Sequence, residues 1–355
     1  MKKMALVLQG GGALGAFEYG VVTKLVELDW QPVAVTGVSI GAVNAAAIAG
    51  AKDGDIVASL HAMWEAISLP SVPWLPQSVQ SNLALLGNPN FWRSRTDYLA
   101  MSSWTSLCSP APMYETLSKN IDFTQINNAK HMRLGVSATS LQTGGPTTFS
   151  NYLAPDYHSD DDHHTAVQTR ILPAHIMACG ALPPAFPAVK IEEKHYWDGG
   201  LFSNTPIDAL LNILDVDEID TLPIFVVDLF PSRGLPEPAN MPEVQTRLTA
   251  MQYQNRFWAE YGGSSDTAGF VSMLEQLDKE LAPGSELRKN TAFKWLQRLR
   301  ALKNIQVIES GQSAGGAGYD FSQFGVHNAY EAGRSAVENY FAQQEEQPPR
   351  LRAAA

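Results

Sequence analysis

A chain of 355 residues with 45% apolar and 17% charged side chains has the composition of a globular protein and can bury a sizeable core, as one large domain or two modest ones. Its net charge of -11, with lysine and arginine in no run longer than two, excludes a nucleic-acid backbone as the main ligand and long-range attraction to an anionic membrane, since both need clustered cations. Two cysteines, Cys108 and Cys179, are too few for a disulfide framework, so cysteine usage does not ask for an oxidising compartment.

The start, Lys2-Lys3 followed by Met4 to Leu8, imitates the head of a signal peptide, but the apolar run stops at Gln9 and enters glycines. Residues 4 to 8 are therefore expected to form a buried first strand. Phe17, Val21, Val22, Leu25 and Leu28 then share one helical face, and Val33 to Val35 reads as a second strand. Ile56, Leu60, Met63, Trp64 and Ile67 mark another helix, Arg133 to Thr139 another strand, and Ile224 to Asp228 a further one. Apolar strands alternating with amphipathic helices predict a three-layer α/β/α sandwich with a mostly parallel central sheet.

Asn204-Thr205-Pro206 reads as a cap with proline at the first helical position, opening a helix to about Leu214. Beyond Arg233, Pro242 to Tyr261 and Leu274 to Lys303 are expected to be helical, with a strand at Ile305 to Ile308 and a last helix near Asn328 to Phe341. Ala314 to Gly318 reads as a flexible connection. The expected organisation is a first domain over 5–212, a mainly helical C-terminal extension over 213–343 packed on it, and a disordered tail over 344–355. No apolar stretch approaches the roughly 20 residues that span a bilayer, and the chain is expected to be soluble and cytoplasmic.

Three segments carry chemistry. Gly37-Val38-Ser39-Ile40-Gly41, between an apolar run and the small-residue stretch Ala42 to Ala49, fits a G-x-S-x-G strand-to-helix turn, which forces the serine into a sharp bend and exposes its hydroxyl. The bland reading is an ordinary glycine-rich turn. Gly10, Gly11, Gly12, Ala13 and Gly15, directly after the first strand, can turn backbone N–H groups toward one point, as an oxyanion hole requires. Gly10, Gly12 and Gly15 also satisfy a dinucleotide-binding G-x-G-x-x-G, but the second strand ends in Val35-Thr36 with no acid for the ribose. Asp198-Gly199-Gly200 follows the proline-bearing Leu182 to Pro187; it is either a turn or the acid that Ser39 needs to lose its proton.

Gly10 to Gly15, Gly37 to Gly41, Asp198 to Gly200, and Ala178 to Pro187, taken together, resemble the motifs of the patatin-like phospholipase family over roughly residues 5 to 212. The resemblance implies a patatin-like fold and a serine acyl hydrolase that cleaves lipid esters through an acyl-enzyme, with Ser39 as nucleophile and Asp198 as base. It also implies an oxyanion hole formed chiefly by the Gly11 and Gly12 N–H groups, no metal, no cofactor and transient contact with membrane surfaces. Two departures stand out: Leu14 where the family often has a cation, and Cys179 where it often has serine. The segment after about residue 228 is similar to the extension of one bacterial branch.

Two rival readings remain open at this stage. One is an α/β-hydrolase triad that recruits His175, His195 or His327; the other is a lipid-binding or scaffold protein with Ser39 and Asp198 idle. Asp160 to His164 reads as a solvated loop rather than a metal site. The aromatic-rich stretch between Ser68 and Leu107 reads equally as core packing or as a lid over an acyl pocket.

Overall fold

The computed structural model of the chain describes residues 1–72, 74–76, 79–80, 87–157, 165–230, 237–254, 263–311 and 318–346. Strand β1 (Lys2–Leu8) alternates between two buried faces: Met4, Leu6 and Leu8 point into one apolar core, Ala5 and Val7 into the other, and all five are inaccessible. A strand apolar on both faces belongs inside a covered sheet. The others, in chain order, are β2 (Trp30–Val38), β3 (Arg93–Ser94), β4 (Cys108–Ser109), β5 (Arg133–Ser140), β6 (Pro146–Ser150) and β7 (Thr165–Gln168). They continue with β8 (Val189–Ile191), β9 (Lys194–Asp198), β10 (Ile224–Asp228) and β11 (Ile305–Glu309).

The main sheet runs β11-β10-β1-β2-β5-β6-β7, with β9 paired to β5 and to β8, while β3 and β4 form a separate hairpin. From β11 to β5 every neighbouring pair is parallel; β6, β8 and β9 add antiparallel pairs on the far side. Helices cover both faces. On one lie α1 (Gly15–Glu27), α2 (Ile40–Ala49) and α3 (Ile56–Ile67). That face also receives α4 (Ala111–Asn120), α5 (Phe123–Ile126) and α6 (Pro173–Cys179). The other face holds α7 (Ile207–Leu211) with Val271, Leu274, Leu299 and Leu302 of the C-terminal part. The fold is thus the expected α/β sandwich, mostly parallel, with a helical C-terminal region.

That region comprises α8 (Met241–Tyr253), α9 (Gly263–Glu280), α10 (Thr291–Arg298) and α11 (Gln323–Glu346), and β11 pairs in parallel with β10. Several expectations need correction. The helix expected over Leu274 to Lys303 is broken after Glu280, where Pro283 and Gly284 cannot continue it. Pro206, not Asn204, occupies the cap of α7, because the Asn204 side chain is held by Gly10. The last helix extends through Gln344 and Glu345, good helix formers within the span expected as the tail; residues 347–355 lie outside the described residues. Residues 314–317 of the expected connection also lie outside them. Among the described residues, no helix is long and apolar enough to cross a membrane.

Candidate active site

Strand register brings Ser39 and Asp198 together. β2 runs parallel to β5 and ends with Val38 opposite Ser137; β9 runs antiparallel to β5 and ends with Asp198 opposite Ala138, the next residue along. The residue after β2 and the last residue of β9 therefore meet at one point on β5. Ser39 sits there in the left-handed region, at φ 53° and ψ -124°, a costly conformation for a non-glycine residue and one that persists only where the surroundings impose it. The surroundings do so: Ser39 N donates to Cys179 O at 3.0 Å, and α2 starts at once, with Ala42 N and Val43 N donating to Ser39 O. Gly41 lets this helix start press on the first strand, since a Cβ there would lie 2.5 Å from Leu8 O.

Asp198 is 2% exposed. Its Oδ1 accepts from Gly200 N at 2.7 Å, its N–H donates to Ala181 O at 3.0 Å, and its carbonyl accepts from Thr139 Oγ1 at 2.9 Å. The second carboxyl oxygen, Oδ2, is buried and closes no full hydrogen bond in this state. Burial raises the carboxyl from 3.8 to about 6, partly offset by the nearby Ser39 hydroxyl and by Gly200 N–H. Cys179, buried beside them, has its thiol pushed well up by burial and then by the Asp198 charge, so it is no competing nucleophile.

The glycine loop between β1 and α1 faces the same point. A Cβ on Gly10 would lie 2.9 Å from the Ser39 Cβ. Of the five amides expected to form the oxyanion hole, three are engaged elsewhere: Gly10 N donates to Asn204 Oδ1 at 3.1 Å, Ala13 N to Gly318 O at 2.7 Å, and Gly15 N back to Gly12 O and Ala13 O. The Gly11 and Gly12 amides have no acceptor among the described residues and are partly accessible. Gly12 has φ +58°, and a Cβ there would meet Gly318 O at 2.1 Å, so glycine is required twice over. Gly37, Gly41, Gly199 and Gly200 all lie in this neighbourhood; a Cβ at Gly199 would reach 2.6 Å from Val38 Cγ2.

A buried polar scaffold behind the loop escapes a motif search. Glu18 Oε1 accepts from Gln9 N at 2.6 Å and its Oε2 from Asn44 Nδ2 at 2.8 Å, while Asn44 Oδ1 accepts from Trp64 Nε1 at 2.8 Å. One carboxyl thus ties the strand end before the glycines to the helix after the serine, and burial holds its pKa well above the usual carboxylate range. Asn204 grips Gly10 at both ends, accepting from its N–H and donating to its carbonyl at 3.0 Å, and donates to Tyr253 O at 3.1 Å. The sequence signal for Asn44 is a lone polar residue inside an otherwise apolar helical run, whereas Glu18 shares its helix with Thr23, Lys24 and Glu27 and does not stand out. Asn204 gives no such signal.

His175 Nδ1 accepts from Leu172 N at 2.9 Å with its ring against Phe149, and the His195 and His327 residues are exposed. Asp160 to His164 lies outside the described residues, and among the described residues no cluster of three or more metal-ligand side chains occurs. Of the aromatic-rich stretch, residues 73, 77–78 and 81–86 lie outside the described set. The rest divides: Asn88 and Ser106 are buried and Phe91 packs on Phe186 and Phe321, whereas Trp74, Tyr98, Leu99 and Met101 face solvent. The hairpin bearing Tyr98 to Met101 is fixed at its base by Leu107 N to Pro184 O and Cys108 N to Ala185 O, hence to the segment that holds Ser39 and Asp198.

Three comparisons with known proteins found matches. The family model for patatin-like phospholipase matches residues 6–211. The chain is 22% identical over 307 residues to triacylglycerol lipase 5 of Saccharomyces cerevisiae, a match covering 78% of this chain but 37% of that protein, so it spans little more than a third of that relative's length. The crystal structure of VipD from Legionella pneumophila aligns with 97% of this chain and 67% of that one, at 14% identity and a TM-score of 0.44. The chain belongs to the patatin-like phospholipase family.

Proposed function

We propose that the chain hydrolyses carboxylic esters of lipids, phospholipid or neutral, on a Ser39–Asp198 dyad. The observation that carries this is the buried Asp198 carboxyl beside a serine kept in a strained turn. Asp198 takes the Ser39 hydroxyl proton as Oγ bonds to the ester carbonyl carbon. Negative charge gathers on the carbonyl oxygen, where Gly11 and Gly12 N–H donate; removal of one such donor typically costs on the order of 100-fold or more in rate. The C–O bond to the alcohol then breaks, the alcohol leaves with the proton from Asp198, and an acyl-Ser39 remains. Water, deprotonated by Asp198, attacks that ester, releasing the fatty acid and returning the proton to Ser39.

On this reading residues 5–212 form the hydrolase domain, and 213–343 brace it and bound the substrate site through Leu229, Phe230 and Tyr253. Acidic net charge and unpaired Cys108 and Cys179 support a cytoplasmic enzyme that meets membranes peripherally. Release of p-nitrophenol from acyl esters of increasing chain length tests the dyad. Ser39→Ala and Asp198→Asn are expected to lose at least about 1,000-fold in kcat, while His175→Ala, His195→Ala and His327→Ala stay within a few-fold of wild type. Loss of turnover in a histidine variant that still folds would favour a triad.

A further inference from the structure

Helix α8 presents an apolar stripe to solvent. Met241, Val244, Leu248 and Met251 recur at intervals of three, four and three residues, which places them on one arc of the helix, and they are 67%, 44%, 55% and 52% exposed. Ala250, on the opposite side, is buried and Tyr253 half-buried. A helix on the surface of a water-soluble domain normally turns such a stripe inward. Single exposed apolar residues are ordinary, but four aligned on one helix mark a face that something covers.

Three observations identify what covers it. The helix that carries the stripe reaches the site by its other side: Tyr253, its last residue, has its ring against Gly200 and its carbonyl accepts from the same Asn204 that grips Gly10. On the hydrolase reading proposed above, the site acts on lipid. The chain's charge of -11 repels anionic surfaces, and α8 itself carries only Glu243 and Arg247 as charged residues. A face that is apolar, charge-poor and joined to a lipid hydrolase site fits a neutral or zwitterionic lipid layer.

We propose that α8 lies in the surface of such a layer, with Met241, Val244, Leu248 and Met251 among the acyl chains. Ser39 then draws its ester from the layer rather than from solution. This rests on the hydrolase reading of the site. The substrate's path is short, because the inner end of the docked helix already forms part of the wall around Asp198.

The test uses the full chain, phosphatidylcholine vesicles and the double variant Leu248→Asp/Met251→Asp, whose changes are at exposed positions and are expected to leave thermal melting unchanged. Flotation is measured at low and high salt in the Ser39→Ala background, which leaves the vesicles intact. The parent chain is expected to float at both salt levels. The double variant is expected to lose at least about tenfold in vesicle binding and, with Ser39 present, in hydrolysis of vesicle-borne ester, while cleaving monomeric p-nitrophenyl butyrate within about twofold of wild type. Equal flotation of the two chains would overturn the proposal. So would flotation confined to phosphatidylglycerol vesicles and abolished by salt, or a dimer that the double variant dissociates without any change in vesicle binding. A wild type that floats by this stripe yet cleaves neither ester would leave the surface standing and overturn the reading of the site.

Discussion

Burial that raises the Asp198 carboxyl to about 6 has two consequences of opposite sign. As a base it must be ionised, so kcat/KM is expected to rise with pH through a midpoint near 6 and then level off, as a pH–rate profile with a soluble ester will show. As a structural element it is a burden. A carboxyl whose folded value lies above its unfolded 3.8 contributes stability that is fully present below about 4 and is lost as pH rises through about 6. At pH 8 the ionised form costs on the order of 3 kcal/mol, so Asp198→Asn is expected to melt higher than wild type while being inactive, with the gap closing as pH falls from 6 toward 4. A variant that melts lower at pH 8 would show that the charge is paid back by a contact that asparagine loses. At this scale Ser39, Asp198 and the glycines were legible because strained turns admit few residue types. Glu18 and Asn204 were not, because a buried hydrogen bond to backbone leaves no spacing rule behind.

Among the elements, α1 and α11 set the back of the glycine loop. They touch backbone to backbone: a Cβ on Gly20 would lie 1.9 Å from Tyr330 O, and one on Gly333 2.1 Å from Phe17 O. Tyr19 and Tyr330 meet at 4.4 Å between ring centres with their planes tilted by 37°, and Lys24–Glu338 and Arg334–Glu27 pair along the seam. Replacing either glycine by alanine gains up to about 1 kcal/mol of helix propensity, but the clash is with a carbonyl that cannot rotate away, and overpacking of this kind costs about 1–3 kcal/mol or more. Gly20→Ala and Gly333→Ala are each expected to be net destabilising in urea unfolding; stabilisation by either would mean that the helices stand further apart. The apolar strands β1, β2, β5 and β10 were readable from sequence as buried runs. β6, β7 and β9, with Thr-rich or mixed sequences such as Pro146–Ser150 and Lys194–Asp198, carry no such run and take their structure from pairing. Asp198 was thus identified by its glycines before the strand that positions it could be seen.

For the whole molecule, the C-terminal region is joined to the family domain by more than apolar packing. Arg298, 1% exposed, donates to Leu211 O at 2.6 Å and Leu214 O at 2.9 Å and pairs with Asp156. Arg133 is held likewise by Asp215 and Glu218. Arg298→Ala leaves two carbonyls and a carboxylate without their donor and is expected to cost about 3–5 kcal/mol in a single cooperative unfolding transition. Two separated transitions would instead show that the two parts fold independently. The sequence indicated the α/β class because alternation of apolar strands and helices is a local pattern, whereas the packing of Arg298, Gly318 and Tyr253 against the first domain depends on contacts across most of the chain.

The central claim is that Ser39 is acylated with Asp198 as its base, and the most direct measurement is peptide mass spectrometry after reaction with a fluorophosphonate. Wild type is expected to carry a single phosphonate on the peptide containing Ser39, at a rate that falls with pH below about 6, with labelling absent in Ser39→Ala and slowed at least about 100-fold in Asp198→Asn. An adduct on another residue in a chain that turns over ester, or full-rate labelling of Ser39 in Asp198→Asn, would contradict the account.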